Sequence, residues 1–234
     1  MGRACLQCPA NELGICNLAA EVQGVHAREA IAQTVHAVAA RRVIFRYRDL
    51  HDFVPVICEG WASRVARVPG GGRMILSFFL PGELMGDQVL VEPLNDSYAE
   101  AITGIRYRAF ERRTLRKMLL GFPEALDLVL RRWLEDQDWA DQMIVDLGRR
   151  SAERRVTRII LRLVARLRAR ELEGAGAQEL AFPLRHRHIA DATGLSSEHV
   201  TKVLSELRRH NIISVSGRML TILDPVALHR IAGV

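Results

Sequence analysis

The sequence predicts an α+β chain: an N-terminal β-roll, a long helix and a C-terminal winged helix-turn-helix. Three observations point to it. From Val43 to about Arg108, short apolar runs alternate with Gly- and Pro-rich breaks. From Leu126 to Leu147, a set of mostly apolar positions recurs at alternating intervals of four and three. Between Arg185 and Arg218 stand a small residue, a glycine and an aliphatic residue, spaced as two crossed helices with a tight turn require.

Composition narrows the function classes. Hydrophobic residues make up 49% of the 234 residues, ample for a buried core in one large or two medium domains. No apolar run reaches the ~18 residues of a membrane span. The opening residues, MGRACLQCPA, lack the apolar segment of a secretory signal. A cytoplasmic location is therefore expected. There the four cysteines are reduced, metal-binding or redox-active rather than disulfide-bonded. Net charge is +6. Residues 149–234 hold 16 Lys+Arg against 8 Asp+Glu, while residues 1–148 hold 17 against 19. Positive charge thus belongs to the C-terminal third, as in a polyanion-binding module joined to a near-neutral one.

Taken in order, the chain divides into a Cys-containing segment at 1–20, a roll at 21–122, a long helix at 123–148 and a DNA-binding module at 149–234. Cys5, Cys8 and Cys16 follow a C-x2-C-x7-C spacing with Pro9 and Gly14 between them, which reads as a loop. Such a loop can wrap three thiolates around one metal centre. Closed sites want a fourth ligand, and the chain has one more cysteine, Cys58. Three thiols beside a structural Cys58, a zinc site and an iron–sulfur site all remain open on spacing alone. Residues 20–42 are Ala-rich and read as helix. The runs VIFRY, FVPVIC, ILSFFL, VLV and AEAIT then read as strands of the roll, with breaks at Pro69–Gly72 and Pro81–Gly86.

The long helix begins near Pro123. Leu126, Leu130, Trp133, Gln137, Ala140, Ile144 and Leu147 form a heptad seam with one polar member, suited to a second copy of the same helix. Asp136, Asp138 and Asp141 lie off this seam, on a solvated face. Gly148 is expected to break or bend the helix. Ser151 caps the next, whose buried stripe is Val156, Ile159, Ile160, Leu163, Val164 and Leu167 among solvated arginines. Residues 173–179, EGAGAQE, read as a loop.

In the helix-turn-helix, Ala190 lets the helices cross closely, Gly194 makes the turn and Val200 plugs the second helix against the first. Ser196 or Ser197 caps that second helix, and Val200, Val203, Leu204 and Leu207 bury it. Ser197, Glu198, Thr201, Lys202 and Ser205 are left on a polar face of the kind that enters a major groove. Residues 212–215 and 219–222 read as two strands, with Ser216-Gly217-Arg218 as the turn of a wing. Arg218 is its candidate DNA contact. His186 and His188 read as surface or phosphate-contacting residues. Asp224-Pro225 caps a short helix to residue 232. No Ser/His/Asp set, paired carboxylates or phosphate-binding glycine loop stands at usable spacing, so an enzyme is not expected. The competing class is a nucleoid-type DNA binder without an effector.

Roll, long helix, glycine segment and winged helix-turn-helix together resemble the Crp/Fnr family of bacterial transcription regulators, Fnr/FixK-like branch, over nearly the whole chain. The residues that carry the resemblance are Glu59-Gly60-Trp61, Pro81–Gly86, Gly148–Arg154 and Leu195–Leu204. It implies a cyclic-nucleotide-binding-like roll, a homodimer on a palindromic operator, and activation through RNA polymerase. In the cyclic-AMP branch an Arg-Ser pair holds the phosphate. The matching place here reads Asn95-Asp96-Ser97-Tyr98, where Asp96 would repel a phosphate, so cyclic AMP is not expected. The N-terminal cysteines are similar to those of the oxygen-sensing branch, which implies a [4Fe-4S] cluster on Cys5, Cys8 and Cys16. That branch has its fourth cysteine where this chain reads Ile105-Arg106-Tyr107-Arg108, leaving Cys58 as the remaining thiol. Glu198 matches the family's acidic reader of cytosine. Lys202 stands where the family commonly has arginine, a point charge instead of a fork. The alternative within the family is a regulator with no cofactor, controlled by thiol oxidation or by its own abundance.

Overall fold

The computed structural model describes residues 35–46, 52–67, 70–85, 90, 98–169 and 179–234. Among the described residues of the first half are seven strands: β1 Val35–Val38, β2 Val43–Phe45, β3 Phe53–Glu59, β4 Ala62–Arg67, β5 Arg73–Phe79, β6 Tyr98–Ala101 and β7 Ile105–Glu111. Helices α1 Arg112–Gly121, α2 Pro123–Arg149 and α3 Ala152–Arg168 follow. The C-terminal part is β8 Glu179–Ala181, α4 His186–Thr193, α5 Ser197–Arg209, β9 Ile213–Ser216, β10 Met219–Ile222 and α6 Pro225–Ala232. The chain forms two compact units, Met1–Asp136 and Gln137–Val234, which meet inside α2.

The first unit is the expected roll, built on two antiparallel sheets ordered β1-β7-β3 and β2-β6-β4-β5. Successive strand residues point to opposite faces, and β3 is buried on both. Val54 and Val56 enter one apolar cluster with Phe110, Leu115, Leu119 and Val129. Ile57 enters the other with Phe45, Met85 and Ile105. The Pro81–Met85 turn is tied to β3: Gly82 N–H donates to the Ile57 carbonyl at 2.7 Å, and Met85 N–H donates to that of Pro55 at 2.8 Å. Gly60 turns β3 toward β4 at φ +83, and a Cβ there would lie 2.2 Å from the Gly104 carbonyl.

Several expectations for this unit are corrected. Val35–Val38 is a strand paired with β7, not the end of a helix over 20–42; the earlier part of that segment lies outside the described residues. Pairing to a neighbour overrides the helical preference of an Ala-rich stretch, and Val35 and Val38 suit a strand. β4, ASRVAR, escaped notice because two arginines interrupt its apolar pattern. β7, IRYRAFE, carries two arginines as well. Leu90 of the VLV run is buried in the core but belongs to none of the strands. Helix α1 was not expected; Leu115 and Leu119, one turn apart, anchor it to the roll.

Gly148 does not break α2, which continues to Arg149. A helical glycine costs only about 1 kcal/mol, too little to stop a helix by itself. The stop comes at Ser151, whose backbone is extended and whose hydroxyl accepts from Arg154 N–H at 3.4 Å, starting α3.

Candidate nucleic-acid interface

Local chemistry places the recognition helix. α4 ends on Gly194, left-handed at φ +65, where a Cβ would sit 2.8 Å from Leu147 Cδ2. α5 starts on Ser196, whose hydroxyl accepts the His199 N–H at 3.2 Å. Of the two serines expected to cap, Ser196 does so. Val200 is fully buried, Ala190 is 4% exposed, and Val203, Leu204 and Leu207 complete the buried stripe. The helices therefore cross as the sequence requires.

The wing is a three-stranded sheet, β8-β10-β9. Its outer strand β8 was not expected, and β9 begins at Ile213, one residue later than expected. Gly217 and Arg218, at φ +57 and φ +67, turn the chain between β9 and β10. Phe182 N–H donates to the Arg218 carbonyl at 2.7 Å, holding the tip against the segment after β8.

Ser197, Glu198, Thr201, Lys202, Ser205 and Arg218 are all exposed. The first five share the open face of α5, and Arg218 stands on the wing turn. The Glu198 carboxyl is held below the usual carboxylate range, first by its own backbone N–H, then by the Ser196 hydroxyl and the nearby His199. It is an acceptor, as contact with a cytosine amino group needs. Thr201 donates to the Ser197 carbonyl at 2.8 Å, and its hydroxyl also lies 2.7 Å from His186 Nδ1. His188, expected at the surface, is instead 5% exposed. Its Nδ1 accepts the Arg185 N–H at 3.1 Å, closing the first turn of α4.

The joint beneath this face holds residues that the sequence did not distinguish. The Arg155 guanidinium donates to the carbonyls of Leu147 at 2.9 Å, Arg150 at 3.0 Å and Thr193 at 3.3 Å. One side chain thus satisfies the ends of α2 and α4. Asp146, 3% exposed, pairs with Arg150 and with Arg158 at 3.2 Å. Arg162 lies 3.9 Å over the Trp139 ring. These arginines carry no distinguishing pattern in a helix that is arginine-rich throughout.

On α2, the seam residues fare unequally. Trp133 is half-buried against the roll's own cluster of Val54, Phe110 and Val129, and Leu147 reaches the Gly194 turn. Along the part of α2 in the first unit, Leu130 and Leu134 are open, at 43% and 66% exposure. Leu134 was not among the expected seam. In the second unit Ile144 is open at 69%, with Val145 beside it and Gln137 and Ala140 exposed. Leu126 is half-buried. Asp136 is held by Arg132 at 3.0 Å rather than left to solvent.

Cys5, Cys8 and Cys16 lie outside the described residues. Cys58 lies at an irregularity of β3, where Ile57 pairs with Tyr107 and Glu59 with Arg106. It therefore sits alongside the part of β7 where the sequence lacks a cysteine. Among the described residues no group of three His, Cys, Asp or Glu side chains could hold a metal. No described helix is long and apolar enough to cross a membrane.

An exposed polar face on α5, a wing and a glycine turn between α4 and α5 define the class: a winged helix-turn-helix protein. Residues 154–231 match the Crp-like helix-turn-helix domain. The chain is 31% identical over 189 residues to the nitrogen fixation regulation protein FixK of Rhizobium meliloti, covering 80% of this chain and 82% of that one. It is 30% identical over 203 residues to the transcriptional activatory protein AadR of Rhodopseudomonas palustris, covering 84% and 80%. Among solved structures, FixK2 from Bradyrhizobium japonicum superposes with a TM-score of 0.75 at 26% identity, over 85% of this chain and 96% of that one. The chain belongs to the Crp/Fnr family of transcription regulators, as a FixK-like member. Its function is DNA-binding transcription regulation rather than catalysis.

Proposed function

We propose that the chain is a homodimeric activator that reads a two-fold symmetric operator. Glu198 accepts from a cytosine amino group and Lys202 donates to guanine acceptors. Ser197, Thr201 and Ser205 flank them, and Arg218 of the wing meets a phosphate. The observation that carries this is the open polar face of α5, fixed from below by Val200 and Gly194. The relatives named as activators support the direction of control, and RNA polymerase is the partner that activation needs. Dimerisation uses the α2 seam Leu126, Leu130, Trp133, Gln137, Ala140, Ile144 and Leu147, with the exposed Leu134 beside it; Trp133 and Leu147 also pack within their own units.

Binding titrations test the assignment. Glu198→Ala and Lys202→Ala each relax preference at a single base pair by ~1–3 kcal/mol. Equal losses on every sequence would remove these residues as base readers. Ile144→Arg places a charge in the dimer seam; sedimentation then shows monomer and operator affinity collapses. A variant that stays dimeric moves the interface elsewhere.

Control runs through the N-terminal cysteines. Cys58 lies alongside the stretch of β7 that matches the place of the oxygen-sensing branch's fourth cysteine, which supports it as the fourth thiolate, and two relatives are named anaerobic regulatory proteins. When bound, a [4Fe-4S] cluster would supply sensitivity to oxygen. Cyclic AMP is not the effector in this reading, because Asp96 would set a carboxylate against its phosphate. Anaerobic preparations should hold iron matched by sulfide, lost in both Cys8→Ser and Cys58→Ser. An iron-free protein that binds its operator tightly overturns the cluster and leaves a regulator without a cofactor.

A further inference from the structure

We propose that His186, which lies outside the recognition helix, sets the base preference of Thr201 by fixing where its hydroxyl proton points; this rests on the DNA-reading role given above to α5. Thr201 Oγ1 is 2.7 Å from His186 Nδ1 and 2.8 Å from the Ser197 carbonyl oxygen. A hydroxyl carries one proton, and a carbonyl can only accept. Both contacts are satisfied in one way: Thr201 donates to Ser197, and His186 donates to Thr201. The imidazole is therefore protonated at Nδ1.

A consequence for recognition follows. The Thr201 side chain is exposed on the α5 face, yet its proton is committed within the helix. What it offers a groove is a methyl group and a remaining acceptor lone pair. At a purine beneath Thr201, guanine shows only the acceptors O6 and N7 and gains nothing, since the amino donor of a G·C pair lies across the pair on the cytosine. Adenine in that place shows an amino donor and its thymine partner a methyl, and both fit. Without the His186 N–H, the proton is free to leave Ser197 and donate to guanine. His186 is thus a positioning residue for specificity: it closes a donor option that threonine otherwise has.

The test combines a spectrum with a cycle of variants. In the free full-length protein, ¹⁵N shifts should report His186 protonated at Nδ1; a neutral ring carrying its proton on Nε2 alone overturns the proposal directly. In binding assays on operators differing only at the base pair beneath Thr201, His186→Ala should lower the preference for A·T over G·C by about threefold to tenfold, the size of one net hydrogen bond. His186→Asn, with an amide nitrogen near the Nδ1 place, should restore it. In a Thr201→Val background there is no hydroxyl to control, so His186→Ala should change that preference by no more than about twofold. Discrimination at the Glu198 base pair should not move. If His186→Ala weakens all sequences equally, or acts as strongly beside Thr201→Val, His186 is only a phosphate contact or a packing residue. A wild-type protein indifferent to every base pair removes the DNA-reading role and the specificity role with it, whereas the tautomer measurement stands apart from both.

Discussion

Each unit is held by its own kind of chemistry. In the roll, β3 sits between two apolar clusters, and strand ladders satisfy its backbone. In the winged helix unit, polar side chains repeatedly finish helix ends: Ser151 and Ser196 at N-termini, Asp224 on Ala227 N–H at 2.8 Å, and Arg155 on three carbonyls. Sheets satisfy most of their backbone groups by pairing. Short helices leave four unpaired groups at each end and need side chains to cover them. A unit of short helices therefore concentrates its stabilisation in a few polar residues, and those residues fix the recognition helix.

Variants can break or sharpen this contrast. Ile57→Ala should have the largest effect, about 2–5 kcal/mol, because it opens a cavity at a fully buried position facing the second cluster. Urea unfolding followed at Trp61, in the roll, measures it; a loss under ~1 kcal/mol, as for a site that collapses, would argue that the clusters are loosely packed. Arg155→Met should come next, at about 2 kcal/mol, since three carbonyls lose a charged donor. Hydrogen exchange should rise at the turn following α4. If only the roll responds, the polar-staple account of the winged helix unit is wrong. Asp224→Ala should cost least, about 1 kcal/mol, the worth of one N-cap, with faster exchange at Ala227.

Legibility divides along the same line. The caps at Ser151, Ser196 and Asp224, the left-handed Gly194, the plug Val200 and the wing turn are short-range features, and each residue states its own requirement. α4, α5, β10 and α6 were legible for that reason, and so was the polar face of α5. β1, β4 and β7 of the roll and β8 of the wing were not, because their apolar patterns are short or interrupted and their pairing partners lie far along the chain. Val35–Val38 pairs with residues 105–108, and no local pattern announces that pairing.

The sequence by itself determined the class of protein, the basic C-terminal unit and the exposed polar face of α5. Tertiary structure decided what spacing does not state: His188 turned inward, Trp133 packed on the roll's cluster, Leu134 left open, and Arg155 singled out from the arginines around it. It also placed His186 on Thr201, fifteen residues away. Helix caps and glycine turns depend on contacts within a few residues, which sequence spacing encodes. The roles of long polar or aromatic side chains depend on what the folded chain brings within a few ångströms, which spacing does not encode.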